Sequence, residues 1–182
     1  GSVTKGQLEA LLYATSYITT VGTAVQRNEE RASKTGLSSY INSQEGVLFV
    51  EISTKWKDTL GVKGIGLYNG SEYISIYLRN NNFLSARVVS GGGSNIYQLN
   101  TTYITNTVYK VAFKYEVNSL ALYINGVKVD STINAPTMPL ALSILEFNRG
   151  GSDSYSFEGT VKDLRVYNEA LTDAELITLT TI

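Results

Sequence analysis

Pairs of carboxylates are the first candidates for chemistry in this sequence, because glycoside hydrolysis uses two of them on one face of a site. Glu45 and Glu51 lie too far apart along one expected strand, and an expected bulge separates Glu158 from Asp163. The sequence contains no histidine and no cysteine. Their absence removes the common nucleophilic triads and the commonest ligands of transition metals. We therefore expect a protein that is not an enzyme.

A row of aromatic residues offers a second chemistry, the binding of sugars. Sugars expose apolar C–H faces that stack on rings, while polar side chains bind their hydroxyl groups. Tyr73 and Tyr77 are four residues apart on one expected strand, opposite an aliphatic row. The returning strand brings Phe83 and Arg87 to the same face, beside Ser75. The alternative is that these side chains pack beneath a loop or against the other sheet, since tyrosine is common in half-buried strands.

Two further aromatic residues lie in or beside expected loops. Trp56 is the only tryptophan and stands between two lysines. An exposed tryptophan often marks a binding surface, although the alternative is a ring folded back onto the domain while the lysines stay in water. Tyr97 follows a glycine-rich loop. The predicted ligand-binding residues are therefore Trp56, Tyr73, Tyr77, Arg87 and Tyr97.

Composition limits the possible partners. The 182 residues suffice for one domain with a full core, and 15 basic against 16 acidic side chains give a net charge of −1. No basic excess is present to attract a phosphate backbone, which argues against nucleic acid. No apolar run approaches the length that inserts into a membrane. Gly1-Ser2 is typical of a cloning remnant, so we expect the chain to be part of a longer protein.

The end of the chain has the clearest local pattern. Phe157 and Val161 share one strand parity, whereas Leu164 and Val166 share the other, which predicts a bulge between the two pairs. A short helix then begins at Thr172, which stands three residues before a glutamate, as in a capping box. This ending indicates a strand that completes a sheet, followed by a helix docked on the domain.

The rest of the chain reads as short strands separated by turns. Two Asn-Gly pairs, at 69–70 and 125–126, predict hairpin turns, the second of type I′. About a dozen strands at the spacing of a sandwich predict two packed antiparallel sheets. Residues 1–13 are expected to be a linker or short helix, and residues 14–182 one jelly-roll domain. The expected strands include Ala14–Thr20, Thr23–Arg27 and Leu140–Phe147.

Several of these segments together carry a family resemblance. They are Tyr123–Val127 (Tyr-Ile-Asn-Gly-Val), the pattern from Phe157 to Leu176, and the stretches 14–22 and 42–52. In them the chain resembles the laminin-G-like, concanavalin A-like lectin/glucanase jelly roll, in the variant common in phage tail-fibre and related structural proteins. The resemblance implies an all-β sandwich with a short C-terminal helix. Its motifs concern turns and packing, so they are specific for the fold rather than for a site.

The resemblance also implies a function. A non-catalytic carbohydrate- or receptor-binding module is expected, extracellular or on a virion surface, in a phage tail-fibre-like or secreted polysaccharide-active protein. Glucanases of this fold carry Glu-x-Asp-x-Glu, but here Ser53 and Lys55 follow Glu51 at the carboxylate positions. No cofactor is expected, although laminin-G-like domains often bind calcium and Asp58, Asp130 and Asp153 are scattered hard ligands. The expected partner is a glycan or cell-surface polysaccharide.

An alternative of another class stays open. The chain could serve as a structural or assembly domain of a virion or cell-surface protein that binds no sugar. Leu8, Leu11 and Leu12 form one apolar helical stripe and would support a homo-oligomer formed through upstream segments.

Overall fold

A computed structural model describes residues 32–55, 61–134, 137–151 and 153–182 of the chain. These residues form two antiparallel sheets and one C-terminal helix. The strands are β1 (Ser33–Lys34), β2 (Glu45–Ser53), β3 (Val62–Tyr68), β4 (Tyr73–Arg79), β5 (Phe83–Ser90), β6 (Asn95–Thr102), β7 (Val108–Glu116), β8 (Leu120–Ile124), β9 (Val127–Thr132), β10 (Ile144–Glu146) and β11 (Thr160–Tyr167), and the helix is α1 (Asp173–Thr180).

The two sheets have the order of a jelly-roll sandwich. Sheet A runs β1-β10-β3-β4-β5-β6, and sheet B runs β11-β2-β7-β8-β9. Strands that are far apart in sequence, such as β10 and β3, therefore pair side by side. The predicted all-β architecture with a short C-terminal helix is confirmed.

The core lies between the sheets and follows the alternation of each strand. Sheet A contributes the aliphatic rows of β4 and β5, and sheet B contributes alternate residues of β2, β7 and β8. The fully buried members include Leu48, Val50, Ile74, Leu84, Phe113 and Leu122. Burying side chains of this size contributes about 1.5–3 kcal/mol each, so this apolar layer is the main source of stability.

The closing strand and helix have the predicted local structure. The register of β11 against β2 shifts between Val161 and Asp163, which confirms the bulge. Thr172 caps α1 and forms a capping box with Glu175. Leu176 of α1 is fully buried in a second cluster with Phe49 and other outward residues of sheet B. The helix therefore covers the outer face of sheet B.

Some predicted elements differ from the structure. The strand predicted over Leu140–Phe147 is shorter, because Ala141 has a φ of +51° and only Ile144–Glu146 pairs with β3. The expected polar connection 28–36 contains strand β1. The predicted segments 1–13, 14–20 and 23–27 lie outside the described residues. No helix within the described ranges is long and apolar enough to span a membrane.

A buried carboxylate joins three loops at one end of sheet A. Glu72 is buried, and its carboxylate accepts hydrogen bonds from the backbone N–H groups of Gly92 (2.9 Å) and Leu140 (2.8 Å). Its own N–H donates to the Asn69 side chain (3.1 Å). The Gly92 and Leu140 N–H groups hold the pKa of Glu72 below its ordinary value. The loops at 69–72, 91–94 and 137–142 are thus tied together by one charge.

This arrangement predicts a loss of stability in acid. Because the folded-state pKa of Glu72 is depressed, its contribution is complete above the ordinary value of 4.5 and is lost as the pH falls through the lower folded value. Glu72→Gln is expected to lower stability at neutral pH by about 2 kcal/mol, since one of the two N–H groups loses its acceptor. It should also flatten the pH dependence.

Urea denaturation at several pH values between about 7 and 3 measures both effects. Glu169→Gln removes an exposed carboxylate and is the matched control, expected to retain the slope of the wild type. An acid dependence that is equally steep in Glu72→Gln and in the wild type would contradict this role of Glu72.

Candidate functional site

The outer face of sheet A is the candidate site, because α1 covers the corresponding face of sheet B. The strand registers place alternate residues of β4, β5 and β6 in transverse rows on this face. One row joins Ser75, Arg87 and Gln98, and the next joins Tyr77, Ser85 and Asn100. The face therefore consists of polar and aromatic side chains, whereas the opposite face of the same strands is aliphatic.

Residues 147–151, which we call the cover segment, lie over one side of this face. Two glycines of β3 make the close approach feasible. A Cβ atom at Gly64 would stand 3.0 Å from the Cβ of Arg149, and one at Gly66 would stand 3.3 Å from the Asn148 carbonyl oxygen. The cover segment also contacts the ring of Tyr73 through Gly150. β5 and β6 form the part of the face beyond these contacts.

A chain of hydrogen bonds forms the floor of the face. The Tyr77 hydroxyl and two nitrogens of Arg87 donate to the Gln98 side-chain oxygen, with the Arg87 Nε at 3.1 Å. Gln98 Nε2 then donates to Asn100 Oδ1 (2.6 Å), which also accepts from the Ser85 hydroxyl (2.8 Å). Because arginine has only donors, it sets the orientation of the Gln98 amide and, through it, that of Asn100.

Two guanidinium groups surround one buried ring. The guanidinium carbons of Arg87 and Arg149 lie 5.2 Å and 5.1 Å from the centroid of Tyr77. Arg149 also lies 4.4 Å from the centroid of Tyr155, which follows the cover segment. These distances are within the range of cation–π attraction. The rings hold both arginines in place beside the floor.

The structure brings some predicted ligand-binding residues together and separates others. Tyr73, Tyr77 and Arg87 share the outer face of sheet A, as the spacing predicted. However, Tyr77 is only 1% exposed, so the expectation that its ring stacks on a sugar is corrected. The ring instead supports two arginines. Tyr73 is half-buried, with the cover segment against its ring.

Of the two remaining predicted residues, Tyr97 is the one that the structure describes. Tyr97 pairs with Val88 and packs against the core, because its position on β6 has the inward parity. Trp56 lies outside the described residues, so its role stays a prediction.

Sequence reasoning missed three of the polar residues at this site. Gln98 and Asn100 have the parity opposite to Tyr97, and the alternation of β6 could have identified them once its register against β5 was known. Arg149 lies more than 60 residues along the chain from Arg87. Its only local signal is the pair of glycines that follows it, and a glycine pair also marks many ordinary loops.

Several carboxylates of the described residues make structural contacts. Glu51 accepts from Lys162 (2.8 Å), and Glu158 pairs with Lys63 (2.5 Å). Asp130 accepts the backbone N–H of Asn100 (2.9 Å), which ties the floor to sheet B. Across the described ranges, no three acidic side chains cluster as a metal site would require. Asp58 and the side chain of Asp153 lie outside the described residues, so calcium binding stays a prediction.

Comparison with known families and structures agrees with this fold. A family model described as the concanavalin A-like lectin/glucanases superfamily matches residues 50–177. No curated protein is similar in sequence to the chain.

Several solved structures have the same architecture. The CBM40 domain of the Ruminococcus gnavus IT-sialidase, bound to α2,3-sialyllactose, has a TM-score of 0.66 at 18% identity. That comparison covers 81% of this chain and 91% of the other. Domain 4 of an extracellular arabinanase from Geobacillus stearothermophilus, in complex with arabinotriose, has a TM-score of 0.61 at 21% identity and covers 78% and 68%. A heptameric SAP-like pentraxin from Limulus polyphemus has a TM-score of 0.59 at 16% identity and covers 75% and 70%. At these identities the likeness establishes the fold alone.

Proposed function

The chain belongs to the concanavalin A-like lectin/glucanases superfamily, and from that premise we propose that it is a non-catalytic module that binds a glycan on the outer face of sheet A. One observation carries the proposal. This face presents arginines, amides and tyrosines in a hydrogen-bonded array, while a helix covers the equivalent face of sheet B. Two of the similar solved structures were determined with oligosaccharides bound, which supports the same class of ligand.

The floor and the cover segment would make different contacts with the glycan. Asn100 and Arg87 provide donors that are already oriented by Gln98, so little side-chain entropy is lost on binding. Tyr155 and Arg149 form a wall beside the floor. A shallow site of this kind gives weak affinity per module, and repeated modules on one particle or polymer would strengthen it.

The absence of catalysis is part of the proposal. Hydrolysis requires two free carboxylates about 5–10 Å apart. Glu51 and Glu158 are instead each paired with a lysine. Release of reducing ends from a polymer incubated with the chain would contradict a purely binding role.

Two variants of the face are expected to weaken glycan binding at least tenfold. Asn100→Ala removes floor donors, and Tyr155→Ala removes the ring that holds Arg149. A glycan array identifies a ligand of the wild type, and calorimetry or affinity electrophoresis with that ligand then measures the change.

A third variant locates the site. Tyr40→Ala is the matched control, since Tyr40 is 70% exposed in the turn between β1 and β2. We expect it to bind as the wild type does. Loss of binding in Tyr40→Ala, with Asn100→Ala unchanged, would move the site to the rim loops. Trp56→Ala tests the remaining sequence prediction in the same assay.

The parent protein is a finer question. A phage tail-fibre-like protein and a secreted polysaccharide-active protein would both place the module outside the cell, where it would encounter glycans. The alternative of an assembly domain predicts an oligomer in light scattering that depends on residues 3–13, together with no glycan bound on the array. That pair of results would replace the proposed function.

A further inference from the structure

Groups of the outer face of sheet A already donate to both side-chain amide oxygens of its floor. Gln98 Oε1 accepts from Tyr77 and Arg87, and Asn100 Oδ1 accepts from Gln98 and Ser85. Each amide oxygen has two lone pairs, so internal donors already fill both acceptors. The floor offers a ligand two kinds of donor. They are the N–H groups of Arg87 that do not face Gln98 and the side-chain amide N–H groups of Asn100.

The second arginine adds another donor that has no acceptor. Arg149 Nε is buried and has no hydrogen-bond partner in the part of the chain that the structure describes. The cover segment and the two rings beside this side chain keep it next to the floor. A buried guanidinium N–H without an acceptor costs free energy, which a ligand with a suitable oxygen would recover.

The two arginines also give the face a positive charge. Among the described residues, neither Arg87 nor Arg149 has an acidic side chain within 4.0 Å. Glu146, on the neighbouring strand β10, directs its carboxylate to the Asn148 amide (2.6 Å) instead. The acidic side chains of the described residues therefore do not pair with the two guanidinium charges around Tyr77.

We propose that the ligand of this face is a glycan that carries a carboxylate, as in a uronic or a sialic acid, and that Arg87 and Arg149 bind that carboxylate. The proposal rests on the proposed function and specifies its ligand class. A neutral sugar hydroxyl brings a hydrogen that needs an acceptor, and both amide oxygens of this floor are filled. The Ser75 hydroxyl oxygen has no hydrogen-bond partner among the described residues, but Ser75 is fully buried. A carboxylate is an acceptor only, and it forms charge-assisted hydrogen bonds with guanidinium groups.

Matched pairs of oligosaccharides test the proposal with the full chain. Trigalacturonic acid is compared with its carboxyl-reduced form, and 3′-sialyllactose is compared with lactose, each by calorimetry at low and at high salt. We expect the acidic member of at least one pair to bind at least tenfold more tightly than its neutral partner. High salt should reduce that difference, because it screens exposed charges. The pair that shows the preference identifies the source of the carboxylate.

Variants then assign the preference to the two arginines. Arg149→Gln and Arg87→Gln are expected to lower affinity for the acidic ligand at least tenfold and to abolish the preference. Arg87→Lys keeps the charge but loses the planar fork, so partial retention of binding is expected. Arg165→Gln removes the same charge from strand β11 of sheet B, where Arg165 pairs with Asp163, and should bind like the wild type. Thermal unfolding establishes that each variant is folded.

The outcomes separate the two proposals. Equal binding of acidic and neutral members, with Asn100→Ala still weakened, would overturn the carboxylate proposal and leave the glycan-binding function intact. A preference that persists in both Arg149→Gln and Arg87→Gln would also overturn it. Failure of the wild type to bind any glycan would overturn both.

Discussion

Replacement of Gly64 by valine is expected to destabilise the domain by about 3 kcal/mol and to remove the candidate site. A Cβ atom at this position would stand 2.8 Å from the Cβ of Tyr77 and 3.1 Å from the Ile76 carbonyl oxygen. Neither atom lies at the flexible end of a side chain. The branched side chain would therefore displace strand β4 or lift Arg149 of the cover segment. Urea denaturation measures the first effect, and binding of the identified glycan measures the second.

Gly66→Ala is the graded control for this substitution. Its closest new contacts are 3.1 Å to the Ile74 carbonyl oxygen, 3.2 Å to the Ser75 Cβ and 3.3 Å to the Asn148 carbonyl oxygen, and they require shifts of only a few tenths of an ångström. We expect a cost of about 1 kcal/mol and nearly normal binding, since alanine also restricts the unfolded chain. If Gly64→Val bound glycan as well as Gly66→Ala did, the cover segment would not be part of the site.

Replacement of Gly46 by alanine is expected to cause the largest loss of stability of any single methyl group added here. Gly46 has a φ of +155°, in a region that other residues rarely adopt. An added Cβ would also overlap the Tyr167 carbonyl oxygen and lie 2.5 Å from the Tyr115 hydroxyl oxygen. Backbone strain and overpacking together cost about 4 kcal/mol. This loss corresponds to a drop of roughly 10 °C in melting temperature for a domain of this size.

Gly36→Ala separates the two causes in Gly46→Ala. Gly36 has a φ of +74°, but no heavy atom lies within 4 Å of its added Cβ. We expect the free energy of unfolding of this variant to fall by only about 1 kcal/mol, which is the cost of alanine in a left-handed conformation. Similar melting temperatures for Gly36→Ala and Gly46→Ala would show that the close contacts at Gly46 relax without cost. The contact with Tyr115 matters because its hydroxyl donates to the Asn42 carbonyl (3.0 Å) and anchors the turn before β2.

Much of the fold could be predicted because its signals are local. Side-chain alternation assigned the inward rows of β4, β5 and β7, and the change of parity after Val161 located the bulge. Asn125 and Gly126 have φ values of +50° and +81°, as a type I′ turn requires. The error at Leu140–Phe147 arose because Leu140 donates its N–H to Glu72, 68 residues away, rather than to a neighbouring strand.

The site could be predicted only in part, because the sequence signals are local and the contacts of the site are not. Spacing placed Tyr77 and Arg87 on one face, but spacing carries no information on what covers that face. A ring that is 1% exposed and a ring that is open to solvent have the same sequence pattern. The roles of Gln98 and Arg149 depend on register between strands and on a distant loop.

The sequence by itself thus determined most of the strands, the side of the sheet to which their residues point, the bulge, the Asn-Gly turns and the helix cap, because each depends on residues a few positions apart. Only the tertiary structure decided that α1 covers sheet B and that Arg149 and Arg87 both lie against the ring of Tyr77. Those contacts join segments widely separated along the chain, and burial depends on where the whole chain packs rather than on any local pattern. The donor-rich face is therefore a property of the assembled sandwich.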